Sequence, residues 1–378
     1  MKYFNYDASD KFGYYRVGNL KLHGKYDAIS IMEKTGQHLT YHYHDEVYSS
    51  YDWRKEPQSS LLELYKKRAE QLREKYDYVV VCYSGGADSH IVLNSFVNNN
   101  IHVDEIMCYY GGVSAQDKWY NAEVGQVAVP YAKKVIEKFP NIKLRLLDLQ
   151  AYMAEFWDKG DPEDWDTVAH YCGQGNQAGG TAIFKMVATN PHYLNILNQG
   201  KTVCFVTGYD KPRVWQVDGR YCHRFLDIPS QFVLIGADFP AESFFWSSDL
   251  PELLIKQCHV IKHYMEHATP TSKHISTDKT GFACKTHGDQ TLWLTMHGVH
   301  DLIYPTWDIN TFTTGKDPHT VFGQRDEWFW RDKNFVPYQN WHKRMSYAWS
   351  RLPDYWRNDA GNILKGAKLS WTIPYFLE

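Results

Sequence analysis

The 378 residues carry 41 Lys and Arg against 44 Asp and Glu, a net charge of −3, and 43% of them are hydrophobic. Such a chain is long enough for one large or two modest domains with a buried core. Its composition speaks against disorder, and its near-neutral total makes no whole-chain case for a nucleic-acid or anionic-membrane binder.

No apolar run approaches the roughly 18 residues needed to span a bilayer, and the polar, aromatic start has no signal-peptide core. The expectation is a soluble cytoplasmic protein that makes no use of a membrane. Seven cysteines, at 82, 108, 172, 204, 222, 258 and 284, are scattered without CxxC spacing. That argues against a zinc ribbon or a redox pair and for buried thiols.

In chain order, residues 1–58 mix short alternating stretches with turn residues and read as a strand and loop extension. Ser60 and Glu63 then form a capping-box signature. Leu61, Leu64, Tyr65, Ala69, Leu72 and Tyr76 follow on one helical face, with Lys66, Lys67, Arg68, Arg73 and Glu74 on much of the rest. Tyr78–Tyr83 is a continuous β-prone run, as in a buried parallel strand. A short helix ends near Val97, and a second strand spans Val103–Tyr110. Residues 117–138 form a helix that Pro130 kinks or divides. A third strand is Lys143–Leu149, and a fourth is Thr202–Val206. Strands alternating with helices imply a parallel sheet covered on both faces.

Asp218-Gly219, between Val214–Val217 and Tyr221–Leu226, predicts a hairpin. Asp249 is placed to cap a helix with Leu253, Leu254, Cys258, Ile261 and Met265 on one face. Residues 268–282 read as a polar loop. The stretch from Trp328 to Trp356 is aromatic-rich and reads as mainly helical, serving either as packed core or, with Arg344, Arg351 and Arg357, as a stacking surface. The texture changes near residue 240, giving an expected division into 1–58, 59–240 and 241–378.

The chemistry is concentrated in Ser84-Gly85-Gly86-Ala87-Asp88-Ser89-His90, between a strand and a helix. Two glycines let peptide N–H groups converge on one concavity, and the helix adds its own unpaired N–H groups and positive dipole end. Ser84 and Ser89 flank this cradle with hydroxyls. Asp88 fits as a helix cap, a Mg²⁺ partner, or both. His90 fits as a phosphate donor or as a surface residue at the helix start.

The segment lacks the Lys of a Walker A loop. It resembles the SGGxDS signature of the PP-loop ATP pyrophosphatase superfamily, matching at Ser84, Gly85, Gly86, Asp88 and Ser89. The family includes asparagine, GMP and NAD synthetases, tRNA-thiolating and tRNA-lysidine enzymes, and, with the same fold, phosphoadenylylsulfate (PAPS) reductases. The resemblance spans roughly residues 60–240. It implies an adenine nucleotide α-hydrolase-like sheet that, with Mg²⁺, cuts ATP between the α and β phosphates and attaches AMP to a substrate oxygen. Thr207-Gly208 resembles the segment that relatives place beside the phosphates, and Lys211 and Arg213 are either phosphate ligands or solvated charges. Gly111-Gly112 is either a point of nucleoside approach or a plain turn.

Departures from the family narrow the choice. Residue 2 is Lys, residues 1–58 are too short for a glutaminase domain, and the Glu-Cys-Gly motif of PAPS reductases is lacking, with Cys258-His259 the nearest substitute. His259 and His263, at i, i+4 spacing, read as an incidental pair on a helix rather than a metal site. Three readings stay open: an ATP-dependent adenylating enzyme acting on a small-molecule acceptor rather than nucleic acid, a sulfonucleotide or sulfur-transfer enzyme, and a non-catalytic ATP or AMP binder.

Overall fold

The computed structural model describes residues 10–110, 123–159, 187, 190–208, 210–230, 241–278, 281–308, 332–350, 352–357 and 368–378. Gly111, Gly112, Cys172, Tyr209 and Trp328–Trp330 lie outside the described residues. Near the N-terminus, Tyr15 and Val17 alternate with an exposed Arg16 along β1 (Tyr14–Val17). This strand pairs antiparallel with β2 (Leu20–Leu22) and β3 (Leu39–His42) in the order β2-β1-β3.

Helix Leu61–Lys75 begins with the capping box that the sequence predicts. Ser60 accepts from the Glu63 N–H at 3.3 Å, and Glu63 accepts from the Ser60 N–H at 2.7 Å. One placement on this helix is corrected. Arg68 is fully buried, because its guanidinium meets Glu242 at 3.2 Å, Asp249 at 3.3 Å and the Ser243 carbonyl at 3.2 Å. Two carboxylates and a carbonyl replace the water that a charged group loses on burial.

The helix delivers the chain to β4 (Tyr78–Cys82), followed by β5 (Glu105–Tyr110), β6 (Lys143–Asp148) and β7 (Val203–Thr207). After the hairpin β8 (Val214–Val217) and β9 (Arg220–His223), the chain reaches β10 (Ala241–Ser243). Strands β10-β7-β4-β5-β6, in that order, form a sheet whose every pairing is parallel. Val79, Val80 and Val81 are all buried, as a strand covered on both faces requires. Tyr78 and Tyr83 are five positions apart and so face opposite sides. The Tyr78 hydroxyl meets His192 of helix Pro191–Asn198 at 3.4 Å, and the Tyr83 hydroxyl meets His90 of helix Ala87–Val97 at 3.2 Å. Helices therefore cover both faces of an α/β sheet.

The helical run is divided at Pro130, as expected: a π-helical segment Val124–Ala128 gives way to helix Val129–Lys138, with Pro130 in the first turn of the latter. The hairpin forms as predicted, with Asp218 at φ 51° and Gly219 at φ 77°, the left-handed pair that a two-residue turn needs.

Past residue 240 the helices Pro251–His267, Met296–Ile303 and Val336–Ser350 are joined by strands that the mainly helical expectation did not include. These are β11 (Ile275–Ser276), within the stretch read as a polar loop, β12 (Ala283–His287), β13 (Gln290–Leu294) and β14 (Tyr375–Phe376). They complete a third sheet around the hairpin, in the order β11-β13-β12-β8-β9-β14. The parallel sheet and this third sheet thus draw strands from either side of residue 240: β10 joins the parallel sheet, and β8 and β9 join the third. Asp249 does not cap helix Pro251–His267, whose N-cap is Leu250 with no side-chain cap; its carboxylate is held by Arg68 and Lys75. No helix among the described residues is long and apolar enough to cross a membrane.

Candidate phosphate-binding site

In the order β10-β7-β4-β5-β6, successive strands run one way from β4 to β6 and the other way from β7 to β10. The connections leaving the carboxyl ends of β4 and β7 therefore part company, and such a switch point opens a crevice at the strand ends. The register sets Val81 beside Val206, so Cys82 and Thr207 end side by side. Ser84–Ser89 leaves from one and Gly208–Arg213 from the other.

The first loop is held by its own hydroxyls. Ser89 Oγ accepts from the Ser84 N–H at 3.2 Å, donates to the Gly86 carbonyl at 3.1 Å and lies 3.1 Å from Ser84 Oγ. Gly85 stands at φ 86°, and a Cβ there would lie 3.0 Å from the Ala128 nitrogen and 3.1 Å from the Glu123 carbonyl oxygen. Both the conformation and the space require glycine. Gly86 is the N-cap of helix Ala87–Val97, at φ −76° and ψ 162°. The first-turn N–H groups have no intrahelical acceptors. Asp88 is consequently not the cap: it lies inside the first turn, where a carboxylate meets the positive end of the helix dipole.

The second loop lies directly on this turn. A Cβ at Gly208 would come within 2.9 Å of the Asp88 carbonyl carbon and 3.1 Å of its oxygen. That contact brings Lys211 to Asp88, with Nζ donating to Oδ2 at 2.6 Å. Lys211 is buried, and its ammonium lies 5.2 Å from the centroid of Phe282. Arg213 packs on the same ring at 4.2 Å and pairs with Asp210 at 3.3 Å. The described contacts bring Lys211 to the Ser84–Ser89 loop and hold Arg213 at Asp210.

A third element enters without any local sequence signal. Tyr304, at the end of helix Met296–Ile303, donates its hydroxyl to Asp88 Oδ1 at 2.5 Å, and its ring stacks on His300 at 5.5 Å. Burial alone raises the Asp88 carboxyl. The Lys211 ammonium, the charge of His300 and hydrogen bonds from Lys211 and Tyr304 outweigh it and hold the group below its ordinary range. Tyr304 moves the opposite way, pushed up by burial and then by the Asp88 carboxylate.

His90 takes neither of its expected roles. It is buried, its Nδ1 meets Tyr83 and its Nε2 meets Asn94 at 2.7 Å, and burial lowers its pKa to about 4. It is a neutral imidazole of the core. Of the described cysteines, Cys108, Cys204, Cys222 and Cys258 are buried as expected, while Cys82 and Cys284 are half-buried; burial pushes Cys82 and Cys108 up to about 12 and Cys222 to about 11, and raises Cys204, Cys258 and Cys284. Cys258 is fully buried in its helix.

The site thus joins a glycine turn, a helix N-terminus, two hydroxyls and a buried ammonium. These are the groups an anion cradle needs, and one carboxylate positions the ammonium among them. No protein-family model matches the chain, and no curated protein sequence is significantly similar to it.

Proposed function

We propose that the chain is a PP-loop enzyme of the adenine nucleotide α-hydrolase type, binding ATP at Ser84–Ser89 and transferring AMP to a small acceptor with release of pyrophosphate. The observation that carries this reading is the packing of Gly208 on Asp88, which brings Lys211 to the N-terminus of the helix after the glycine turn. The residues fit the substrate. The helix N-terminus after Gly86 and the Ser84 hydroxyl offer donors to a pyrophosphate-sized anion, while the Ser84 N–H, the Gly86 N–H and the Ser89 hydroxyl shape the loop that presents them. Asp88 is the carboxylate that would hold Mg²⁺, sharing its oxygens with Lys211 and Tyr304. When bound, the ion screens polyphosphate charge.

In the reaction, an acceptor oxygen bonds to the α-phosphorus as the bond to the α–β bridging oxygen breaks, and the electron pair leaves with pyrophosphate. Negative charge builds on that leaving group. The helix N-terminus and the Lys211 ammonium are already fixed beside it, so they stabilise it without reorganising. The loop lacks the Walker lysine, which disfavours γ-phosphate transfer. Incubation with ATP, Mg²⁺ and a cell extract as acceptor source, followed by chromatography, should yield AMP and pyrophosphate. ADP as the main product refutes the assignment.

One observation favours the narrower reading, a nucleotide binder without turnover: both Asp88 oxygens are engaged by protein groups. ATP binding without pyrophosphate release in any extract would select it. Among the described residues, which leave out Cys172, the raised thiols argue against the sulfur-transfer reading, which needs an accessible thiolate.

A further inference from the structure

Helix Pro251–His267 carries His259 and His263 four residues apart, one turn from each other on a single face. Glu56, from the segment before helix Leu61–Lys75, joins them. One ligand atom from each of the three side chains lies within 4.8 Å of the others. We propose that Glu56, His259 and His263 form a binding site for a late first-row divalent cation, zinc foremost.

Their surroundings are those of metal ligands. The Trp53 carbonyl can only accept, so its 2.8 Å contact fixes the proton on His259 Nε2 and leaves Nδ1 with the lone pair. Glu266 lies 3.3 Å from His263 Nδ1 and orients that ring, turning Nε2 toward Glu56 Oε2 at 3.0 Å. Lys256 holds the other Glu56 oxygen at 2.7 Å and the Pro57 carbonyl at 3.1 Å, which fixes the carboxylate. Each ligand therefore has one outer partner of suitable chemistry: a carbonyl, a carboxylate and an ammonium. Two imidazoles and one carboxylate suit zinc-like ions better than calcium or magnesium, which prefer all-oxygen shells. His263 is half exposed, so water has access to the fourth position. The bound ion would clip the segment around Glu56 to the helix.

The test uses the tag-free full chain, stripped with a chelator and titrated with Co²⁺. It should take up one equivalent with the visible bands of a four-coordinate ion, and Zn²⁺ should displace it. His263→Ala, at a half-exposed position, and Glu56→Gln should each weaken Co²⁺ binding by about 10- to 100-fold or more, with unchanged circular dichroism. His287→Ala, at an exposed histidine outside the cluster, should change nothing. Absence of stoichiometric uptake by the unmodified chain overturns the proposal, as does uptake that both ligand variants leave unchanged.

Discussion

Lys25 meets Asp227 and Lys211 meets Asp88 at the same 2.6 Å, but the two pairs live in different surroundings. Lys25 and Asp227 are each 2% exposed, and the carboxylate also accepts from the Tyr15 hydroxyl at 2.7 Å and the Ser370 N–H at 3.1 Å. These partners tie the N-terminal strands to the segment after the hairpin and to the C-terminal residues. Lys211 and Asp88 are 8% and 27% exposed, at an edge where two loops leave a parallel sheet. A sealed pair can exchange partners with nothing, so its effect is on stability. A pair open on one side can share its ammonium with a ligand. Distance alone does not separate a sealed ion pair from one placed where a ligand can reach it; solvent access and backbone context do.

The largest expected effect breaks the sealed pair. Asp227→Ala leaves Lys25 buried without its partner and should cost about 3–5 kcal/mol of stability, read from urea unfolding. A loss below about 1 kcal/mol would mean that water reaches Lys25. The open pair should respond in rate instead. Lys211→Met should slow pyrophosphate release by about 10²–10³, or ~3–4 kcal/mol, with a smaller stability change than Asp227→Ala and a much smaller loss of ATP affinity. Lys211→Arg should rescue only partly, because a planar fork does not replace a compact ammonium. Near-normal single-turnover rates would remove Lys211 from the site.

Acid offers a third distinction, on the side of the open pair. His90 shares a helix with Asp88, and its pKa is lowered from 6.5 to about 4 by burial. The unfolded chain takes up this proton first, so the stability is fully present above 6.5 and is lost as the pH falls toward about 4. The loss is on the order of 3 kcal/mol, and His90→Gln should flatten that part of the urea-midpoint profile. An unchanged slope would show that His90 does not resist protonation. The smallest effect is expected from Gly208→Ala. It drives a methyl into the Asp88 backbone and should cost about 1–3 kcal/mol together with some ATP affinity, by separating the two loops.

The sheet and its first loop were legible because their signals are local: a run of valines, a capping box, paired glycines and an Asp-Gly turn. What was not legible depends on contacts between distant segments. Tyr304 reaches Asp88 from 216 positions away, and no spacing rule marks it. Arg68 looks like a solvated charge until β10 brings Glu242 beside it. Short strands such as β10 and β11 are too brief to show a period, and only their partners define them. For His90, helix position suggested a phosphate donor or a surface residue, whereas the Tyr83 and Asn94 side chains claim both ring nitrogens.

Titration calorimetry of ATP into the wild-type chain and into Gly86→Val tests the cradle most directly. Gly86 sits at φ −76°, where any residue fits, so the substitution tests space in the cradle and not backbone strain. Saturable ATP binding by the wild type, lost or reduced at least tenfold in a folded Gly86→Val, is the predicted result. Equal affinity in both, or no binding by the wild type, would contradict the assignment of Ser84–Ser89 as a phosphate site.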